Sequence, residues 1–153
     1  LSDYKMIDKL YDASLAGVKV KLIIRGICCL VPGVKKLSEN IEAISIVDNY
    51  LEHSRLFIFC NNDDPEVFIS SADFMTRNID ARVEVTCPIY DIEIKKDLIE
   101  TFEIGWKANV KARLHSDKFE NQYRKRGDEK PFRAQQEMYK HYQNKLEVIT
   151  EIV

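Results

Sequence analysis

Short β-branched runs, each meeting a polar or charged residue at one end, constrain this chain more than any other feature. Residues 20–24, Val-Lys-Leu-Ile-Ile, lead straight into Arg25-Gly26. His53 and Arg55 stand just before the run at 56–60, and Ser70-Ser71-Ala72-Asp73 closes the run at 67–69. Runs of this length and composition read as buried strands. When several strands end in functional groups, those groups meet along one rim of a sheet, where open α/β folds place their ligands. An arginine, a histidine, serines and an asparagine gathered on such a rim suit an anionic, phosphate-bearing ligand.

The rest of the chain supplies helices and turns around these runs. Met6, Leu10 and Ala13 form an apolar stripe that predicts a helix over 3–16, capped by Asp3 and stopped at Gly17. Residues 26–40, with Pro32 and Gly33, read as a loop. Strands are expected over 18–24, 41–47, 56–60, 66–70 and 82–88. Asn61-Asn62-Asp63-Asp64-Pro65 is the clearest turn and predicts an antiparallel hairpin. A helix over 91–106 offers Ile92, Leu98, Ile99, Phe102 and Trp106 to the sheet. Residues 110–130 read as polar and irregular. The last helix is expected over 131–147, with Pro131 in its first turn. This order predicts an α/β fold, a mixed β-sheet flanked by helices.

Size and charge narrow the class. The 153 residues make one domain. A chain of this length buries roughly 68–70% of its unfolded surface and needs no disulfide staples. The net charge of -2 argues against a surface wholly given to nucleic acid, while leaving room for a local basic pocket. No apolar run approaches the ~20 residues of a membrane span. Nothing at the start resembles a signal peptide, and the chain reads as a segment of a longer cytosolic protein. Cys28, Cys29, Cys60 and Cys87 lack the spacing of a zinc site and are expected to be reduced, partly buried thiols.

Arg25 is the first candidate for chemistry. It is either a phosphate ligand, its planar fork matching phosphate oxygens, or one half of an ion pair with Glu42 or Glu52. His53 is the second: a proton shuttle, a nucleophile toward phosphorus, a donor to phosphate, or the cap of a turn. His115 and His141 lie among polar residues and are expected to face solvent. Ser70, Ser71, Asp73, Arg77 and Asn78 form a third group. Within it, Ser71 is expected to cap a helical turn through Asp73 and Phe74, and Arg77 and Asn78 either line a phosphate site or hold a loop. The basic stretch 107–133 is broken by Asp117, Glu120, Asp128 and Glu129 and reads as a solvated face.

Longer strings carry a resemblance. Lys9-Leu10-Tyr11-Asp12-Ala13-Ser14, Ile24-Arg25-Gly26-Ile27-Cys28-Cys29-Leu30 and Leu51-Glu52-His53-Ser54-Arg55 are similar to the C-terminal part of bacterial polyphosphate kinases. So are Ser70-Ser71-Ala72-Asp73-Phe74-Met75-Thr76-Arg77-Asn78 and Arg82-Val83-Glu84-Val85. The resemblance implies a phospholipase D-like half, the last of four domains, and reversible transfer of the terminal phosphate of ATP to inorganic polyphosphate with magnesium. It implies that Arg25 and His53 meet the ATP phosphates. His53 would be the second histidine, facing a phosphorylated one in the preceding domain. The magnesium ligands would also lie upstream, so no metal ligand is expected here and the segment alone is expected to be inactive. ATP or ADP, polyphosphate and the preceding domains of the same chain are the implied partners, in a homo-oligomer without nucleic acid. The implied location is cytoplasmic, peripheral to the inner membrane. Two other readings compete: a phospholipase D-like nuclease or phosphodiesterase half-site, and a silent phosphate-binding assembly module. The hydrolases usually carry H-x-K-x4-D, whereas here Arg55 and Cys60 stand at the lysine and aspartate positions, which favours the kinase.

Overall fold

The computed structural model describes residues 1–118 and 120–152, with side chains as far as 147. Helix α1 (Tyr4–Leu15) begins as the sequence predicts: the Asp3 carboxylate accepts from the Met6 N–H at 3.0 Å. Gly17, at φ +87°, takes the left-handed turn that ends it.

The expected single sheet is two. The first joins β1 (Val20–Ile23), β2 (Ile41–Ile46) and β6 (Ala112–Leu114), with β1 parallel and β6 antiparallel to β2. The second is fully antiparallel and joins β3 (Leu56–Phe59), β4 (Glu66–Ser70) and β5 (Thr86–Ile89). The hairpin between β3 and β4 is the expected one, and Asn61, Asn62 and Asp63 all adopt positive φ in its loop. Thus the mixed sheet and the helices are as predicted, but the antiparallel strands form a sheet of their own.

Helices α2 (Thr76–Ala81), α3 (Ile92–Trp106) and α4 (Ala134–Ile152) complete the chain. Ile44, Ile46, Trp106, Ala108, Ala112 and Ala134 form the main core, with Ile23 and Phe102 against it. Gly105 lets α3 approach β1: a Cβ there would lie 3.0 Å from Ile23 Cδ1. A second cluster packs Ile7 of α1 against Leu30 and Ile41.

Several boundaries differ from the sequence reading. The strand expected over 82–88 begins only at Thr86. Ile92, expected to face the sheet, is exposed. Strand β6, three residues with Arg113 at its centre, and the short helix α2 were not foreseen. Pro131 lies outside α4, which starts three residues later. The cysteines are free thiols as expected, but only Cys28 is partly buried.

The two sheets are bolted together near the start of the chain. Asp3 is fully buried, and its second carboxylate oxygen accepts from Thr76 Oγ1 at 3.0 Å. The Ser2 and Asp3 N–H groups both donate to the Phe74 carbonyl, at 2.7 and 3.1 Å. Phe74 in turn stacks on Phe57 of β3, with ring centroids 4.8 Å apart.

Candidate active site

Parallel pairing of β1 and β2 sends the chain out of both strands at the same edge. Arg25 leaves β1 there, and the segment leading to His53 leaves β2. The hairpin register delivers the rest: Leu56 pairs with Ile69, and the Ser70 N–H donates to the Arg55 carbonyl at 3.0 Å. The residues flanking that pair, Arg55 before β3 and Asp73 beyond β4, are therefore neighbours.

Arg55 and Asp73 form a bidentate pair. Nε donates to one carboxylate oxygen at 2.9 Å and Nη2 to the other at 3.0 Å. Nη2 also lies 3.0 Å from His53 Nε2. The hydrogen bond from Arg55 holds the Asp73 carboxyl below its ordinary range, against the upward push of burial, and the positive charge of Arg25 adds to the lowering. Arg25 itself is exposed and pairs with neither Glu42 nor Glu52 among the described residues. Glu52 instead accepts from Gln135 Nε2 at 2.9 Å.

Each functional side chain stands on a braced backbone. The Ile24 N–H donates to the Ile44 carbonyl at 2.8 Å, and the Ile24 carbonyl accepts from Ser45 Oγ at 2.5 Å. Ser45 Oγ is also 2.6 Å from His115 Nε2. Because the serine proton is committed to the Ile24 carbonyl, His115 Nε2 carries the proton of this contact. Burial pushes His115 below the usual histidine value. The segment 48–52, which leads to His53, is held by the start of α4. Arg133 bonds Asp48, at 2.8 and 2.5 Å, and Gln135 both donates to and accepts from the Tyr50 backbone, at 2.8 and 3.0 Å.

The third predicted group divides. Asp73 grips the Arg55 that contacts His53 and feels the charge of Arg25, while Ser70, Ser71 and Asn78 brace a loop. Ser71 does not cap a helix. Its Oγ donates to Glu84 and accepts from the Val85 N–H at 3.0 Å. Asn78, only 3% exposed, donates to Glu84 at 2.6 Å, and its Oδ1 has no hydrogen-bond partner among the described residues. Ser70 bonds Thr86 at 2.9 Å. Arg77 lies exposed against Met75 Sδ at 3.8 Å. His115 and His141, expected to face solvent, are both partly buried. His141 lies 3.3 Å from Asp97. Much of the basic stretch is spoken for: Arg113 covers the Tyr123 ring at 3.9 Å, and Arg124 donates to the Trp106 carbonyl at 2.5 Å.

The donor set around Arg25 and His53 does not suit magnesium. Asp73 has both oxygens engaged by Arg55, and Glu84, whose charge Arg55 also feels, accepts from Ser71 and Asn78. Asp97, Glu100 and His141 do cluster between α3 and α4, but the Lys145 ammonium bonds Asp97 and lies 3.5 Å from Glu100, in the place a cation would take. The side chains here instead suit anions: a guanidinium beyond β1 that is unpaired among the described residues, and an exposed imidazole before β3, each on a fixed support.

The family of the second C-terminal domain of polyphosphate kinase matches residues 1–135. The chain belongs to the polyphosphate kinase family. As a C-terminal domain of that family it is 49% identical over 144 residues to the polyphosphate kinase of Vibrio vulnificus strain YJ016, covering 94% of this chain and 21% of that protein. It is 46% identical over 139 residues to the polyphosphate kinase of Escherichia coli strain K12, covering 91% and 20%. The crystal structure of polyphosphate kinase from Porphyromonas gingivalis superposes with a TM-score of 0.93 at 45% identity, covering 97% of this chain and 23% of that one. The chain thus spans about a fifth of the length of the curated relatives it matches.

Proposed function

We propose that this domain is one wall of the active site of a polyphosphate kinase, which moves the terminal phosphate of ATP reversibly onto inorganic polyphosphate. The observation that carries this reading is an exposed Arg25 beyond β1, without a hydrogen bond or ion pair among the described residues, whose charge is felt by Asp73, the partner of the Arg55 that contacts an exposed His53. Phosphoryl transfer is catalysed chiefly by positioning and by neutralising charge on phosphate oxygens. Arg25 supplies the charge, and its planar fork suits two oxygens of the ATP phosphates at once. His53 supplies a hydrogen bond or a proton to the group in flight. In this reading the base that partners His53 and the magnesium ligands are supplied by the rest of the polypeptide. In this reading ATP and polyphosphate bind between this wall and the preceding domain, and the segment alone does not turn over.

In the full-length protein, His53→Ala is expected to lower turnover by roughly 10²–10⁴-fold, the usual range for a positioned acid or base. The measurement is ATP-dependent extension of polyphosphate, with melting temperature followed alongside. A folded variant with near-normal turnover would remove His53 from the mechanism.

A further inference from the structure

Arg55 occupies the position where phospholipase D-like hydrolases place a lysine, and here it is partly buried between Asp73 and His53. A guanidinium carries donors only. Its Nη2, 3.0 Å from His53 Nε2, therefore requires that ring nitrogen to accept. A proton on Nε2 would set one N–H against another. In the neutral ring the proton accordingly sits on Nδ1. Arg55 has little freedom to turn away, because its Nε and Nη2 are held in plane by the two oxygens of Asp73. Asp73 is fixed in turn by its neighbour Phe74, whose ring stacks on Phe57 and whose carbonyl takes the two N–H groups at the start of the chain.

We propose that Arg55 is a positioning residue: braced by Asp73, it holds His53 in one tautomer, with Nε2 as acceptor and Nδ1–H as the free donor for a phosphoryl oxygen. This explains why arginine stands at position 55. A lysine ammonium is a single point of charge on a flexible stem and cannot grip a carboxylate in two places while fixing the plane of an imidazole. The consequence for catalysis rests on the reading that His53 faces the transferred phosphate; the tautomer itself does not.

The test uses the full-length protein with ¹⁵N-labelled histidine side chains, studied by solid-state NMR at pH 8, where an ordinary imidazole is neutral. His53 is assigned by the signal lost in His53→Gln. The native protein is expected to show one His53 form with the proton on Nδ1. Arg55→Lys is expected to bring in the Nε2–H form. It should lower kcat about tenfold or more while KM for ATP changes less than twofold, because Arg25 is untouched. Asp73→Asn, which leaves the guanidinium but loosens its grip, should shift the tautomers in the same direction and serves if Arg55→Lys does not fold. A native His53 protonated on Nε2, or a tautomer unchanged in the folded variants, overturns the proposal. An Nδ1–H tautomer that depends on Arg55, in a protein without kinase activity, would uphold the clamp and reject the functional reading.

Discussion

Replacing Arg25 separates a ligand-binding arginine from a structural one with unusual clarity. The side chain makes no hydrogen bond or ion pair among the described residues, and its one noted electrostatic partner is Asp73, already satisfied by Arg55. Removing it therefore leaves no buried group orphaned, and a surface change of this kind stays within about 0.5 kcal/mol of native stability. Its loss from a bound phosphate is another matter. A hydrogen bond to a charged group contributes about 1.5–3 kcal/mol, and each 1.4 kcal/mol is tenfold in rate. Arg25→Ala in the full-length protein should thus lower kcat/KM for ATP by about 10–100-fold with an almost unchanged melting temperature. Arg25→Lys should recover little, since an ammonium cannot span two oxygens. The assay pairs ATP kinetics with thermal unfolding on the same preparations. Native ATP kinetics in a destabilised Arg25→Lys protein would refute the argument and make the residue structural.

Two further outcomes follow from packing and titration. Ile44, 1% exposed at the middle of β2, touches the main core, so Ile44→Ala should cost about 2–5 kcal/mol in urea unfolding, and a cost below 1 kcal/mol would show that the core lies elsewhere. His115, pushed down by burial, binds a proton more readily unfolded than folded; its contribution is whole above about pH 6.5, the unfolded value, and is lost as pH falls through the lower folded one. His115→Gln, whose amide can still donate to Ser45, should shrink the drop in urea midpoint between pH 7.5 and pH 5, and an undiminished drop would count against this residue.

What the sequence discloses and what it hides divide along a physical line. Local signals are legible. Asp3 caps α1, Gly17 ends it, and the Asn-Asn-Asp-Asp-Pro turn makes its hairpin, because each is decided within a few residues. The prominence of Arg25 and His53 is legible too, since both sit beside apolar runs. Contacts over long separations are not. Gln135 brackets Tyr50 from 85 residues away. Ser45 meets His115 from 70 away, so the polar setting of that histidine in sequence says nothing of its burial. The neighbours of Ser71 suit a turn and predict a cap, but Glu84 competes for the hydroxyl from just before β5. Strand β6 hides because only three residues pair and the middle one is charged. The part played by Arg55 depends on the hairpin register, which no local pattern states.

The buried Asp3 carboxylate has a bearing on how the molecule comes to exist. It satisfies the first turn of α1 with one oxygen and Thr76 with the other, across 73 residues of chain. Arg25 belongs to the sheet on one side of that junction, and His53, Arg55 and Asp73 to the sheet on the other. The β3–β4 hairpin and its β5 neighbour pair over short separations and can begin to form early, whereas β6 joins β2 only from far along the chain. Contacts across so wide a separation carry a loop-closure cost and form slowly. The proposed phosphate site is consequently a late product of folding, assembled at the moment the chain closes on itself. A nascent or partly unfolded domain holds the right residues on two unaligned pieces, and competence at the site doubles as a report that the fold is complete.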